Sequence, residues 1–347
     1  MGYRKRGDGR PRHRFKTGKT APGSAVVAGR ALPAKISAMT ADIVVVMKNR
    51  LNPAYGGALV GARKAAARFG LTLADTAPAL ADDVEEQRAL MAETIAARPK
   101  AIVLLPAHES RLNDAVGAAH AAGIPVFVIV SKPTAAEWIT HVGSEHVGMA
   151  HDLAVYLFDR LPEGGNIVVM DGHPDSIATP ERHEGFIRAA RERPGMTILE
   201  SVCGWFLREP AREAARAVLQ RHARIDGMLV ANDLMAMGVL EALAETGRRL
   251  PVVSINGTPE AVTAIKAGAL LATASFDTLA FGALATEAAA RHLGGETVPR
   301  ELILPPTIID RGNFRQWDLP YEARPIPSWE AALAPAEPTG RPPRLPR

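Results

Sequence analysis

IVVVMKNRLNPAYGGALVGARKAAARFG, residues 43–70, joins a strand signal directly to a helix signal. Residues 43–47 are apolar at consecutive positions, which is typical of a strand covered on both faces of a parallel sheet. Between Tyr55 and Phe69 the apolar side chains share one helical face. Gly70 follows as a residue that tolerates the left-handed conformation of a helix end. This strand–helix unit is the repeating element of doubly wound α/β folds.

The same alternation continues along the chain, and it repeats in two halves. The apolar runs are residues 43–47, 71–77, 101–106, 126–131, 167–171, 198–203, 228–231, 252–255 and 271–275. The runs near 43, 101 and 126 recur at an offset of about 125 residues, which predicts two Rossmann-like lobes. We therefore expect an α/β protein with two parallel sheets, each flanked by helices, joined by a hinge.

Four segments follow from this repeat. We predict a disordered basic tail or poor signal segment at 1–40, an N-terminal lobe at 41–144 plus 277–304, a C-terminal lobe at 145–276 plus 305–316, and a proline-rich tail at 317–347. The helical pattern near 277–293 lies outside both halves, so we expect it to return to the first lobe. Trp317 and Trp329 are expected to anchor the start of the tail, although its prolines argue against further helix or strand.

The basic charge of the chain comes from its first forty residues. They contain ten Lys/Arg and one acidic residue, Asp8, which leaves 31 basic and 36 acidic residues elsewhere. The remaining body is therefore mildly acidic, and we expect no specific nucleic-acid binding.

The N-terminal segment and the cysteine content bear on the compartment. Residues 1–40 have the order of an export signal, but Arg30 interrupts the apolar part. Met39 is an alternative start that would leave the protein in the cytoplasm. Cys203 is the single cysteine, which excludes an intrachain disulfide and a cysteine metal cluster. Its apolar surroundings predict a buried thiol.

Candidate ligand residues follow the predicted strands, because ligands of open α/β sheets bind at the carboxyl ends of the strands. Amides and guanidinium groups can hydrogen-bond adjacent hydroxyls, and aromatic rings pack on the CH face of a sugar. The alternative is that the asparagines only cap helices. The predicted ligand-binding residues are Asn52, Tyr55, Ser131, Arg182, Trp205, Phe206, Asn232, Asn256 and Phe276.

Several stretches of the chain resemble the type I periplasmic sugar-binding proteins, close to the ribose-binding group, across roughly residues 41–315. They are NPAYGGALVGARKAAARFG (52–70), AHAAGIPVFV (119–128), THVGSEHVG (140–148), ERHEGF (181–186), VANDLMAMG (230–238) and VVSINGTPEAVTAIKAGALLAT (252–273). The resemblance implies sugar contacts for Asn52, Arg182 and Asn232, and ring stacking for Tyr55 and Phe206.

The chain departs from that family in several parts of the site. Ala54 replaces a stacking aromatic, Asn256 stands in place of an aspartate, Val130-Ser131-Lys132 stands where the family often has an Asp-Arg pair, and Phe276 stands in place of an amide. The site loses two carboxylates and gains apolar surface. We therefore expect a deoxysugar, a small polyol or a lactone-like ligand rather than ribose.

The resemblance implies the substrate-binding component of a sugar-type ABC importer. Its expected setting is the periplasm, as a monomer without cofactor or metal, with a membrane ABC permease as partner. Such proteins also present ligands to chemoreceptors or sensors, and the sequence does not separate that role from transport.

Two other protein classes fit the sequence less well. An enzyme is disfavoured because HExxH, GxSxG and the full GxxxxGK[ST] phosphate loop are absent from the sequence, and the glycines at 56, 57 and 61 do not form GxGxxG. Asp171 and Asp277 could act as an acid–base pair, but no nucleophile accompanies them. A lactose-repressor-like regulator would share the fold, but the glycine- and proline-rich residues 1–40 do not suit a helix-turn-helix.

Overall fold

The computed structural model describes residues 41–134, 137–161 and 164–334. The predictions for residues 1–40 and for the end of the proline-rich tail lie outside these described residues.

Strands and helices alternate through most of the described chain. The strands are β1 (Ile43–Val46), β2 (Leu73–Thr76), β3 (Ala101–Leu104), β4 (Val126–Ile129), β5 (Thr140–Gly143), β6 (Gly165–Asp171), β7 (Met196–Cys203), β8 (Gly227–Val230), β9 (Val252–Ile255), β10 (Ala272–Ser275), β11 (Glu301–Ile303) and β12 (Thr307–Ile309). The helices are α1 (Pro53–Arg68), α2 (Val84–Ala96), α3 (Asn113–Ala121), α4 (His146–Phe158), α5 (Ala178–Arg191), α6 (Arg208–Arg221), α7 (Asp233–Thr246), α8 (Pro259–Ala267), α9 (Thr278–Leu293) and α10 (Trp329–Leu333), with a 3₁₀ turn at Phe314–Trp317.

The strands form two six-stranded sheets with the same order. The first sheet is β2-β1-β3-β4-β5-β11, and the second is β7-β6-β8-β9-β10-β12. The strand pairs of the described chain are parallel, except for the antiparallel pair β10 and β12. The central strands β1, β3, β4, β8 and β9 are buried along their whole length. The predicted α/β fold with two parallel-sheet lobes is therefore confirmed.

The chain passes between the two sheets three times. It leaves the first sheet after β5, where α4 packs on α5 and on the second sheet. It returns after β10, where α9 packs on α1 and on β3, β4 and β5 of the first sheet. It crosses again between β11 and β12.

Helices α1 and α9 approach each other at two glycines. A Cβ at Gly61 would lie 1.9 Å from the carbonyl oxygen of Leu279, and a Cβ at Gly282 would lie 1.8 Å from that of Ala58. Only glycine lets the two backbones come this close. This contact holds α9 on the first lobe directly after the chain has left the second.

Three strands differ from the sequence prediction. Strands β5, β11 and β12 are three or four residues long and carry few consecutive apolar residues, so the apolar-run criterion missed them. Cys203 ends β7, which pairs only with β6 among the described strands and is half-exposed. The prediction of a buried thiol is therefore wrong: Cys203 is half-buried, and its Sγ donates to the carbonyl of Gly172 at 3.1 Å.

After β12 the chain stays on the body instead of leaving it. Trp329 is buried, and Trp317 packs against the core, as predicted for both. The prolines do not exclude helix throughout, because Ser328 caps α10 by accepting a hydrogen bond from the amide of Ala331. Of the helices in the described ranges, none is both long enough and apolar enough to cross a bilayer.

Candidate functional site

Two predicted asparagines begin helices at the carboxyl ends of β1 and β8. Asn52 Oδ1 accepts from the amide of Ala54 at 3.0 Å, and Asn232 Oδ1 accepts from the amide of Met235 at 2.8 Å. Both side-chain oxygens therefore cap helices, as the alternative interpretation of these asparagines expected. The Asn232 amide nitrogen is directed elsewhere, to the carbonyl of Phe206 at 3.4 Å.

Arg182 of α5 lies at the centre of the second-lobe residues. Its side chain is buried, and its Nη1 donates to the carbonyl of Ala231 at the end of β8. The guanidinium carbon lies 5.5 Å from the ring centroid of Phe276 and 5.8 Å from that of Phe206. The structure therefore brings Arg182, Phe206 and Phe276 together, next to Asn232.

The backbone before α6 is unusual at two consecutive aromatic residues. Trp205 and Phe206 have φ values of 59° and 57°, in the left-handed region that bulky residues rarely adopt. Gly172 makes room for Phe206, because a Cβ there would lie 2.0 Å from the ring. Trp205 instead packs edge-on against His173 at 5.1 Å, away from Arg182. Strained backbone of this kind is typical of ligand sites.

The first lobe contributes Lys48 and Tyr55. The Lys48 Nζ lies 5.5 Å above the Tyr55 ring and 3.8 Å from Asp82. Burial lowers the pKa of Lys48, but the charge of Asp82 and the hydrogen bond to Tyr55 outweigh that effect, so the pKa stays above its ordinary value. Lys48 follows β1 directly and could have been found by the strand-end criterion, but the prediction began at Asn52.

The two lobes act on each other electrostatically across this gap. Burial lowers the pKa of Arg182 to about 10, against the opposing effects of Tyr55, Glu181 and Asp233. Arg182 therefore stays charged at neutral pH, and its charge in turn lowers the pKa of Lys48. Lys48 and Tyr55 of the first lobe therefore lie close enough to Arg182 of the second lobe for their charges to interact.

His146 is a member of the site that the sequence prediction missed. Its ring meets Phe276 edge-on at 5.5 Å, and both ring nitrogens are buried without a hydrogen-bond partner among the described residues. Burial lowers its pKa to about 3, helped by the charges of Arg182 and Lys48, so the ring is neutral. His146 was overlooked because it follows β5, a strand that the apolar-run criterion did not detect.

Other buried polar atoms at the site also lack partners. Within the described chain, Arg182 Nε and Asn256 Oδ1 have none. Asn256 additionally has a φ of 142°, outside the regions that asparagine usually occupies. Leaving such groups unsatisfied costs about 1–3 kcal/mol each. A bound polar ligand could hydrogen-bond to these buried donors and acceptors and so remove this cost.

Ser131 is the least connected of the predicted residues. It is buried after β4, and its amide donates to the carbonyl of Ile129 at 2.9 Å. The neighbouring Lys132 pairs with Glu301 at 2.8 Å. Burial raises the pKa of Glu181 across the gap, and the charge of Lys132 partly offsets that rise. Among the described residues, no hydrogen bond joins Ser131 to Arg182.

A cavity of about 400 Å³ opens between the lobes at the outer side of this site. Asp82, the ion-pair partner of Lys48, is one of its first-lobe residues, and His173, which packs on Trp205, is one of its second-lobe residues. Arg182 and Phe206 do not line it. Its size suits a small ligand, and we interpret it as the mouth of the buried site.

The carboxylates near the site are engaged in structural contacts. Asp233 accepts from Ser254 at 2.5 Å, Thr273 at 2.7 Å and the amide of Thr258 at 2.8 Å, and so ties β9 and β10 to α7. Asp171 pairs with His183 at 2.9 Å, and Asp277 caps α9.

The proposed acid–base pair of Asp171 and Asp277 is therefore not assembled, because each carboxylate is held in its own contact. The described residues also contain no group of three or more His, Cys, Asp or Glu side chains suited to a metal ion.

Several known proteins resemble this chain in sequence and in fold. A model of the periplasmic binding protein domain matches residues 43–297. A ribose import binding protein from Bacillus subtilis (strain 168) is 29% identical over 224 residues, which are 65% of this chain and 73% of that protein.

Two solved structures are also similar. An ABC transporter solute binding protein from Mycobacterium smegmatis with bound glycerol is 29% identical, with a TM-score of 0.73 over 79% of this chain and 96% of that one. A periplasmic solute binding protein from Actinobacillus succinogenes 130z with bound D-allose is 23% identical and has a TM-score of 0.76 over 79% and 98%. The chain therefore belongs to the periplasmic binding protein family.

Proposed function

We propose that this chain is the substrate-binding protein of a sugar-type ABC importer and holds a small sugar or polyol-like ligand between two closing lobes. The observation that carries the proposal is the buried gap around Arg182, where two second-lobe aromatic rings and unpartnered polar atoms converge and face Lys48 and Tyr55 of the first lobe. Relatives that bind ribose, D-allose or glycerol support this class of ligand.

The ligand-binding set combines the predicted residues with two additions. The second-lobe wall consists of Arg182, Asn232, Phe206, Asn256 and Phe276. The first-lobe wall consists of Asn52, Tyr55 and Lys48. Ser131 and Trp205 lie at the margins, and His146 lies between the walls. The guanidinium, amide and ammonium groups hydrogen-bond hydroxyls, while the rings cover the CH faces.

Closure follows from a site that is divided between lobes. We propose that residues 41–144 plus 277–304 rotate against residues 145–276 plus 305–316 about the three crossings, as in hinge closure generally. A ligand that contacts both walls binds the closed form better than the open one, so it shifts the population toward closure. No bond in the ligand is made or broken.

We propose that a membrane ABC permease recognises the closed form and that the protein acts outside the cytoplasmic membrane. We propose that it acts there as a monomer. Presentation of the ligand to a chemoreceptor would use the same closed form.

A thermal-shift screen of pentoses, deoxysugars, small polyols and lactones, followed by calorimetry, tests the proposal. At least one compound should raise the melting temperature and bind with 1:1 stoichiometry. Nuclear magnetic resonance of the incubated mixture should show the compound unchanged. Turnover of a bound compound would indicate an enzymatic function instead. Failure of all four classes of compound to bind would contradict the proposed sugar-like ligand.

A further inference from the structure

The chain beyond β12 runs from one lobe to the other. Residues 317–334, which we call the strap, lie C-terminal to residues 43–297, the region matched by the periplasmic binding protein model. The strap starts at the second lobe and ends on the first, so it connects the two bodies independently of the three crossings.

The second-lobe anchor lies at helix α8. The 3₁₀ turn Phe314–Trp317 packs on this helix, and Asp318 Oδ2 accepts from Lys266 Nζ at 2.6 Å. Arg311 reaches the carbonyl of Lys266 at 3.4 Å from the same side.

The first-lobe anchor lies at helix α1. Lys64 Nζ donates to the carbonyl of Tyr321 at 3.5 Å and also to that of Arg324. The Tyr321 ring lies against Gly57, where a Cβ would be only 2.8 Å from the ring. Further along, Trp329 is buried, and the guanidinium of Arg291 from α9 lies 5.0 Å above its ring.

The connection between these anchors is short and internally braced. Asp318 and Tyr321 are three residues apart, so they can separate by at most about 11 Å even in a fully extended chain. Arg324 holds this segment in shape, because it donates to the carbonyls of Leu319 at 2.9 Å and Trp317 at 2.6 Å. Its buried guanidinium also lies 4.6 Å from the Tyr321 ring.

We propose that the strap is an opening limiter that biases the ligand-free protein toward the closed arrangement. Its anchors belong to different lobes. Their contacts are present in the same arrangement in which Lys48 and Tyr55 lie near Arg182 across the gap. Opening must stretch a braced connection or break one anchor, and the closed state is stabilised by that cost. The apparent dissociation constant improves in proportion to the closed population.

Small-angle X-ray scattering of the ligand-free full chain tests the proposal. A Gly-Ser-Gly-Ser insertion between Leu319 and Pro320 should increase the radius of gyration by freeing the lobes. The same insertion between Glu296 and Thr297, in an exposed loop of the first lobe, serves as the control and should not. Equal radii for the wild type and both insertions, in folded proteins, would overturn the limiter.

A point variant gives a second measurement that keeps the chain length unchanged. Lys64→Met removes the two hydrogen bonds of the first-lobe anchor, whereas Arg63→Met changes a neighbouring side chain that pairs with Asp75 within the same lobe. Only Lys64→Met should expand the ligand-free protein. A lower melting temperature with unchanged scattering would mean that the strap stabilises the fold without limiting opening. Because these measurements need no ligand, their outcome is independent of the proposed sugar binding.

Discussion

Lys48 and Arg182 belong to opposite lobes, yet the charge of Arg182 acts on the buried ammonium group of Lys48. Burial already lowers the pKa of Lys48, and Arg182 lowers it further, while Asp82 and Tyr55 offset both effects. Two cations in one dry gap repel each other unless acceptor atoms lie between them. The hydroxyl and ring oxygens of a sugar-like ligand would supply such acceptors at closure.

The first prediction concerns the role of Arg182 in binding. Arg182→Ala should abolish ligand-induced thermal stabilisation while the protein stays folded. Hydrogen bonds to a charged group contribute about 1.5–3 kcal/mol, so calorimetry should give a dissociation constant roughly 10- to 100-fold higher. Arg188→Ala, which changes an exposed position on the same helix, is the control and should bind normally. Wild-type ligand shifts in Arg182→Ala would remove this residue from the site.

The second prediction separates stability from binding at His146. His146→Phe keeps an aromatic ring but removes two buried nitrogens without partners. The ligand-free variant should unfold at the same or higher urea concentration, because an unsatisfied polar group no longer has to be buried. Ligand affinity should fall in the same variant. An unchanged affinity would show that His146 serves packing alone.

The third prediction concerns pH. Burial lowers the pKa of His146 to about 3 and that of His141 to about 4, whereas an unfolded histidine titrates near 6.5. Between these values the unfolded chain binds more protons, so the free energy of unfolding should decrease as pH falls from about 6.5 toward 3. His183 acts in the opposite direction, because its hydrogen bond to Asp171 raises its pKa.

Comparing variants isolates the His146 contribution to this pH dependence. Urea unfolding at pH 7, 6 and 5 should show a shallower loss of stability in His146→Phe than in the wild type. Identical slopes would contradict a buried neutral imidazole at this position.

The fourth prediction tests the close packing of α1 on α9. Gly61→Ala places a Cβ against the backbone of Leu279 and should lower the free energy of unfolding by about 1–3 kcal/mol. Gly56→Ala lies on the same helix with nothing within 4 Å of the added Cβ. It should be neutral or stabilising by about 0.5–1 kcal/mol. Equal unfolding midpoints for the two variants would show that the helices can separate without cost.

Much of the fold could be predicted from local pattern. The consecutive apolar residues of β1, β3, β4 and β8 identified central strands, because burial on both faces requires it. Gly247 ends α7 with a φ of 66°, as its position after a helical pattern predicted. Strands β5, β11 and β12 were missed because each is short and carries few consecutive apolar residues.

The candidate site could be predicted only in part. Residue type and the position after a strand identified Arg182, Phe206 and Phe276, which the structure brings together. Neither signal distinguishes a capping asparagine from a ligand contact, and Asn52 and Asn232 do cap helices. His146 and the strap carry no local pattern that marks their role.

Local sequence patterns were enough to identify most of the strands and helices, several helix ends, and the presence of two similar α/β halves. These are properties of neighbouring residues, set by backbone periodicity and by burial of one helix face or both sheet faces. Tertiary packing was needed to reveal which polar atoms remain buried without partners and which residues of the two lobes come close together. Those properties depend on residues distant in sequence, such as Lys48 with Arg182 and Lys64 with Tyr321, whose proximity arises only when the lobes pack.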